Sequence, residues 1–288
     1  MEQQLDTKFW NTVITPKDKL LTIDWKEVWR YRDMYWLFVM RSFRTAYKQT
    51  ILGPLWFLIT PVMSVIVYVA VFGGVANIPT DGVPAVLFYL LGISVWGYFS
   101  SCLSGTSNSF VSNADIFGKV YFPRIIMPFV AVTVNVLSFA IQLAIFFAFY
   151  AYYAFTNGLG EATIHWHILL FPVLMLILAM MAVGFGMMIS SVTTKYRDIQ
   201  IVFGKIISLW VYITPVIYPL SMITNPKLYL AMSLNPVTPI VEAIRYSLLG
   251  VGQFSWWWLL YSVLMTAILL VIGLALFNKV QKSFMDTV

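Results

Sequence analysis

The sequence predicts an all-α membrane protein with six transmembrane helices, an N-terminal amphipathic interface helix, and a re-entrant hairpin on the external side between helices five and six. Of the 288 residues, 60% are hydrophobic and 10% are charged, and the mean hydropathy is +0.82. An average soluble domain carries about 25% charged residues, so this chain has too few charges to cover a water-facing surface. Six long apolar stretches and a one-sided distribution of basic residues complete the prediction.

The N-terminal segment, residues 1–52, is predicted to be cytoplasmic and to contain an amphipathic helix over residues 24–50. Asp24 is a suitable N-cap, and aromatic and apolar residues recur after it at spacings of three and four, with basic residues between them. Such a helix suits the lipid headgroup region, and packing on a partner protein is the alternative. The residues expected to define this interface helix are Trp25, Trp29, Arg30, Trp36, Arg41 and Arg44.

Residues 53–288 are predicted to form the transmembrane domain. A helix needs about 20 apolar residues to span a bilayer. Sixteen of the 18 Lys and Arg residues fall on one side of the predicted arrangement, whereas Lys227 and Arg245 fall on the other. The positive-inside rule therefore predicts that both termini are cytoplasmic. The predicted spans are 53–75, 84–106, 127–155, 168–193, 200–218 and 256–277.

Residues 219–254 are external in this topology and yet rich in apolar side chains. Residues 239–249 have a helical pattern but are too short to cross a bilayer, and Glu242 and Arg245 stand three residues apart, a spacing that allows them to pair. We interpret the segment as a re-entrant hairpin, because irregular backbone at membrane depth needs surrounding protein or a water-filled cavity. A helix resting on the external membrane surface is the alternative.

The predicted spans lack the ionisable groups that catalysis or ion coupling would require. Asp81 lies in a predicted loop, and His165 and His167 have only Glu161 nearby as a further ligand, too few for a metal site. No P-loop sequence is present, so any energy source belongs to another subunit or is absent. We therefore expect a transport subunit and not an enzyme, with no catalytic residue, metal, cofactor or nucleic-acid partner, and with membrane lipids around its spans.

Aromatic residues are abundant, with 16 Tyr, 11 Trp and 22 Phe, and many lie within the predicted spans. Aromatic faces suit the apolar faces of sugar rings, and phenol hydroxyls add polar contacts. A pore lined in this way would let a long glycan slide, although lipid contact and helix packing are the alternative explanation. The candidate channel residues are Trp56, Tyr68, Phe88, Trp96, Tyr98, Trp210, Tyr212 and Tyr218.

Several segments resemble, in their order and spacing, the permeases of polysaccharide-export ABC transporters, the membrane subunits for O-antigen, capsule and teichoic-acid export. The resemblance covers nearly the whole chain from about residue 24. The tail with Phe284 and Asp286 also fits the family's ending. The segments that carry it are YKQTILGPLWFLITPVMSVIVYVAVFG from Tyr47, DGVPAVLFYLLGISVWGYFS, FGKVYFPRIIMP, Tyr196-Arg197-Asp198 and Asn235-Pro236.

This resemblance implies a permease homodimer with a channel at its interface, two copies of a separate ATPase, a lipid-linked polysaccharide substrate and a location in the bacterial inner membrane. It assigns the external gate to segment 219–254, with Asn235, Glu242 and Arg245. The residues it assigns to ATPase coupling are Asp115, Lys119, Tyr121, Arg124, Tyr196, Arg197 and Asp198, of which Arg197 and Asp198 would pair with the ATPase or cap a turn. The competing hypotheses are an ABC permease for a small lipid or drug, a membrane-embedded glycosyl- or acyltransferase, and a passive channel.

Overall fold

The computed structural model describes residues 23–45, 48, 51–156, 158–194, 196 and 198–283. All regular structure in these ranges is helical, which confirms the predicted all-α fold class. A π-helical turn, Val69–Val75, continues α3, and a 3₁₀ turn, Trp166–Leu170, leads into α7. The helices are α1 (Trp25–Arg30), α2 (Arg32–Thr45), α3 (Trp56–Tyr68), α4 (Ala85–Ser107), α5 (Ala114–Phe117), α6 (Ile126–Phe155), α7 (Phe171–Thr193), α8 (Asp198–Ile213), α9 (Pro226–Ser233), α10 (Thr238–Leu249) and α11 (Trp256–Ser283).

Five helical stretches in the described ranges are long and apolar enough to cross a bilayer, so the chain is a multi-pass membrane protein. The predicted span 200–218 corresponds to α8, whose 16 residues measure about 24 Å, short of the roughly 30 Å of a hydrocarbon core. The count of six spans therefore stays a prediction. The five stretches match the other predicted spans and are Leu58–Val75, Ala85–Ser107, Ile126–Phe155, Trp166–Thr193 and Trp256–Gln281.

The long helices alternate between two ends of the bundle. Ser109, just after α4, has its hydroxyl oxygen 3.2 Å from that of Ser190 near the end of α7, and we call this the coupling end. At the opposite end, which we call the hairpin end, the amide of Glu161 before α7 donates to the carbonyl oxygen of Gly82 before α4 at 3.2 Å. This alternation agrees with the predicted order of spans, and the assignment of the coupling end to the cytoplasm stays a prediction.

The centre of the bundle consists of α4, α7 and α11. Gly184 of α7 and Gly273 of α11 lie so close that a Cβ added to Gly273 would be 2.4 Å from the carbonyl oxygen of Gly184. A Cβ added to Gly186 would likewise lie 2.5 Å from the Cβ of Thr106 on α4. Small residues let transmembrane helices approach to backbone contact in this way. The helices at the periphery of the bundle are packed less closely. In the apolar stretch of α3, 11% of the residues are buried, whereas in that of α4 the buried share is 72%.

The N-terminal helix predicted over residues 24–50 is two helices, α1 and α2, with the break at Tyr31. The predicted N-cap is confirmed, because a carboxylate oxygen of Asp24 accepts from the amide of Glu27 at 3.1 Å. Phe38 and Val39 of α2 are buried in an apolar cluster with residues of α5, α6 and α11. The six residues expected to define the interface helix are all exposed, on the faces of α1 and α2 that this packing leaves open.

Candidate functional site

At the coupling end, α5 and residues 118–125 form a short projection that we call the coupling loop. Phe117 and Phe122 point from it into the protein and lie 5.4 Å apart between ring centroids. Phe122 lies a further 5.4 Å from Phe38 of α2. Phe110, just before α5, stacks on Phe277 of α11 at 4.5 Å. Buried aromatic side chains therefore fix the coupling loop to α2 and α11.

The polar side chains of the coupling loop reach its surface. Asp115, Lys119 and Tyr121 are exposed, and the Tyr121 hydroxyl donates to a Glu27 carboxylate oxygen of α1 at 3.3 Å. Arg124 donates from Nη1 to the carbonyl oxygen of Gln281 on α11 at 2.6 Å. These two hydrogen bonds connect the loop to both ends of the described chain.

A recess of about 420 Å³ lies beside the coupling loop. Arg124 lies at its wall, with its guanidinium carbon 5.5 Å from the centroid of the Phe117 ring. Burial lowers the pKa of Arg124, but the ordinary pKa of arginine is so high that the side chain stays charged. The recess is therefore a basic and aromatic concavity. It is lined by Phe117, Gly118, Lys119, Val120, Tyr121, Phe122, Arg124 and Gln281.

The predicted coupling residues between α7 and α8 lie at the same end. Tyr196 is exposed, and its amide donates to the carbonyl oxygen of Val192 at 3.2 Å. Asp198 is exposed in the first turn of α8, where the helix dipole favours a negative charge. Arg197 lies outside the described residues, as do Tyr47, Phe284 and Asp286.

The predicted pairing of Glu242 with Arg245 on α10 is confirmed. Arg245 Nη1 lies 2.6 Å from a Glu242 carboxylate oxygen, and both side chains are buried. The second Glu242 oxygen accepts from the amide of Gln253 at 2.9 Å. Burial raises the pKa of the Glu242 carboxyl, and the charge of Arg245 opposes that rise. This buried ion pair therefore holds α10 against the backbone of Gln253.

The other half of the Arg245 guanidinium binds the backbone that follows α8. Nη2 donates to the carbonyl oxygens of Pro215 at 2.8 Å and Val216 at 3.3 Å, and the group lies 4.2 Å from the ring centroid of Phe88 on α4. Pro215 has no amide hydrogen and ends the helical hydrogen bonding. Sequence reasoning missed these contacts, because their partners are about 30 residues or more away along the chain.

Asn235, the third residue assigned to the external gate, makes a second connection to α8. Its side-chain oxygen accepts from Trp210 Nε1 at 3.2 Å, and its side-chain nitrogen donates to the Thr214 hydroxyl at 2.9 Å. Asn235 is 9% exposed. All three predicted gate residues thus lie in one buried network around the outer end of α8.

The candidate channel residues separate into two groups. Phe88, Trp96 and Tyr98 are buried within α4, the central helix. Their assignment to the channel stays a prediction. The residues that retain exposed surface are Trp56, Tyr68, Trp210, Tyr212 and Tyr218.

The two histidines of the α6–α7 loop pack as aromatic rings. His165 stacks on Tyr246 at 4.9 Å, and His167 lies 5.0 Å from Phe254. In the part of the chain that the structure describes, no three His, Cys, Asp or Glu side chains are grouped to hold a metal ion.

Comparison with known proteins places these features in a family. The O-antigen export system permease protein RfbA of Myxococcus xanthus is 28% identical over 221 residues, covering 76% of this chain and 82% of that protein. A Klebsiella pneumoniae protein of the same name is 26% identical over 255 residues, covering 88% and 94%. The polysialic acid transport protein KpsM of Escherichia coli is 22% identical over 253 residues, covering 86% and 93%. The ABC-2 type transporter family model matches residues 34–249, from α2 through the coupling loop to the end of α10, and the chain belongs to this family.

Proposed function

We propose that the chain is the membrane permease of an ATP-driven exporter that moves lipid-linked polysaccharide, of O-antigen, capsule or teichoic-acid type, across the bacterial inner membrane. The observation that carries this proposal is the similarity over most of the chain to permeases named for O-antigen export and polysialic acid transport. The family is one of transport subunits rather than enzymes, and it implies an ATPase partner.

The exposed side chains at the coupling end support a docking site for that ATPase. Lys119, Tyr121 and Asp198 project from different segments of the same end, and the aromatic cluster behind the coupling loop holds the loop in place. We infer that the coupling end and both termini are cytoplasmic, which agrees with the positive-inside rule. Residues 1–52 then form the interface segment and residues 53–288 the transmembrane domain.

We propose a homodimer with two ATPase copies, in which the second permease covers apolar surface that would otherwise face lipid. Trp56 of α3 and Leu209 and Tyr212 of α8 are exposed, each by 47% or more. A second permease copy at this face would enclose a path lined by the exposed candidate aromatics, and the segment 219–254 would close its external end. In this arrangement α8 and the buried backbone to Pro219 complete a sixth crossing, since irregular backbone at depth is tolerated where protein surrounds it.

The first test is copurification of the permease with the ATPase encoded beside it, using charge reversal at matched lysines. We expect Lys119→Glu, at the coupling end, to reduce ATPase recovery at least several-fold. Lys227→Glu, at a lysine that is also exposed but lies at the hairpin end, should leave recovery unchanged. Equal loss with both variants, or with neither, would contradict the assignment of the coupling end.

The second test is glycan surface display in a strain that lacks the permease gene. The intact chain should restore surface glycan, whereas Lys119→Glu should leave the polymer inside the cell. If the chain restores export of a small lipid and does not restore surface glycan, the small-lipid permease is favoured instead.

A further inference from the structure

The residues assigned to the external gate divide α8 into a fixed outer end and a loosely packed remainder. We propose that Arg245, Glu242 and Asn235 form a fixed pivot for α8, so that ATP-driven movement swings its inner end about residues 214–216 while α10 stays still. This inference rests on the proposed function, and it reassigns these residues from a moving gate to a stationary support.

The first step is that α10 is part of the fixed bundle. Of its 12 residues, all of which the structure describes, 11 are buried. The carbonyl oxygens of Ser247 and Leu249 accept from the amides of His165 at 3.2 Å and Thr163 at 3.0 Å. On the α11 side, the Ser262 hydroxyl donates to the carbonyl oxygen of Pro236 just before α10, at 2.8 Å. The helix is therefore held by segments from both of its sides.

The second step is that the outer end of α8 is attached to this fixed helix. Arg245 donates to the carbonyl oxygens of Pro215 and Val216, and Asn235 bonds Trp210 and Thr214. The attachment is buried, since Thr214 and Val216 have no exposed surface. Gly92 of α4 also leaves room for this backbone, because a Cβ there would lie 2.7 Å from the Val216 carbonyl oxygen. Water cannot replace these hydrogen bonds while the site stays closed.

The third step is that the remainder of α8 has little to hold it within one chain. Across its fully described length, α8 fully buries only Ile207 and Val211, and Phe203 and Trp210 are partly buried against the core. A Cβ added to Gly204 would meet no other atom within 4 Å, in contrast to the glycine contact between α7 and α11. The inner end begins at exposed Asp198, where the ATPase is proposed to act. A helix held at one end and pushed at the other turns about its fixed end.

The test is a pair of spin-label distances in the reconstituted permease–ATPase complex, with and without ATP. Cys102, the one cysteine of the sequence, is first replaced by alanine so that only the introduced cysteines are labelled. One pair joins exposed Val192 on α7 to exposed Ile201 on α8, and the other joins Leu169 to Ile213 at the hairpin end. A swing of about 10° would move residue 201, some 20 Å from the pivot, by about 3.5 Å and residue 213 by less than about 1 Å. Equal shifts at both positions, a larger shift at 213, or no shift would overturn the pivot.

Two variants then test the residues themselves. Arg245→Met, or Asn235→Ala if the first does not fold, should raise the shift at residue 213 several-fold, because the outer end is released. Ser221→Ala, which removes only the exposed hydrogen bond to Asp81, is the control and should leave both distances as in the wild type. A merely structural role would lower protein yield without redistributing movement along α8. The measurement needs no glycan, so the pivot and the polysaccharide substrate can fail independently.

Discussion

Replacing Arg245 by methionine should destabilise the protein more than replacing Arg245 and Glu242 together. The single variant leaves a buried carboxylate without the guanidinium that lies 2.6 Å away, and breaking a buried ion pair in this way costs about 3–5 kcal/mol. It also leaves the Pro215 and Val216 carbonyl oxygens without their donor, which adds about 1–3 kcal/mol. The variant should therefore lose most of a typical margin of stability.

The double variant Glu242→Leu/Arg245→Met also removes the buried carboxylate that the single variant leaves unpaired. It still lacks the hydrogen-bond donor to the two carbonyl oxygens. We expect it to recover about 3 kcal/mol relative to Arg245→Met, because an apolar pair often replaces a buried ion pair at little cost. The assay is denaturant unfolding in detergent, followed by tryptophan fluorescence and analysed as a double-mutant cycle. A double variant less stable than Arg245→Met would refute the reasoning, as would additive effects. Ser221→Ala, at an exposed hydrogen bond, should change stability little.

Three further predictions concern the helix packing and the coupling end. Gly273→Val should lower the free energy of unfolding by about 1–3 kcal/mol or more, because α7 and α11 must separate to admit the side chain. Gly97→Ala is the control, since a Cβ there meets nothing within 4 Å. It should be neutral or slightly stabilising in the same unfolding assay. Phe277→Ala should cost about 3–5 kcal/mol, since Phe277 is fully buried and stacked at the coupling end; unchanged stability would contradict the packing described. Tyr121→Phe removes only the hydroxyl that bonds Glu27 of α1, and it should keep wild-type stability to within about 1 kcal/mol. It should increase proteolysis within α1, and unchanged resistance there is the contrary result.

Most of the fold was predictable because membrane-spanning helices follow from apolar length alone. Five spans were identified within a few residues, and the caps and pairs that depend on near neighbours, such as Asp24 with Glu27 and Glu242 with Arg245, were correct. The exception was the stretch 200–218, where the apolar sequence extends beyond the end of the helix. α8 ends at Ile213, because Pro215 has no amide hydrogen to continue it. Arg245, 30 residues beyond Pro215, supplies a hydrogen bond that the irregular backbone needs.

For the candidate site, the sequence predicted at which end of the bundle a residue lies, because that follows from its position along the chain. Lys119 and Asp198 lie at one end because they flank spans of known length. The channel assignment on α4 stays a prediction, and the sequence did not reveal that Trp96 and Tyr98 pack against α8 and α6 inside one chain. Which face of a helix is buried depends on the neighbours it packs against. A helix that is apolar on all sides has no periodic pattern from which the buried face could be predicted.

The hydrogen bonds of the coupling loop have a consequence for biosynthesis. Tyr121 reaches Glu27 near the start of the chain, and Arg124 reaches Gln281 in the last turn of α11. A ribosome must therefore release the final helix before the loop acquires its second support. If the ATPase docks at this loop as proposed, we expect a chain that lacks the end of α11 to bind it less well, because Arg124 would have no Gln281 carbonyl oxygen to bond.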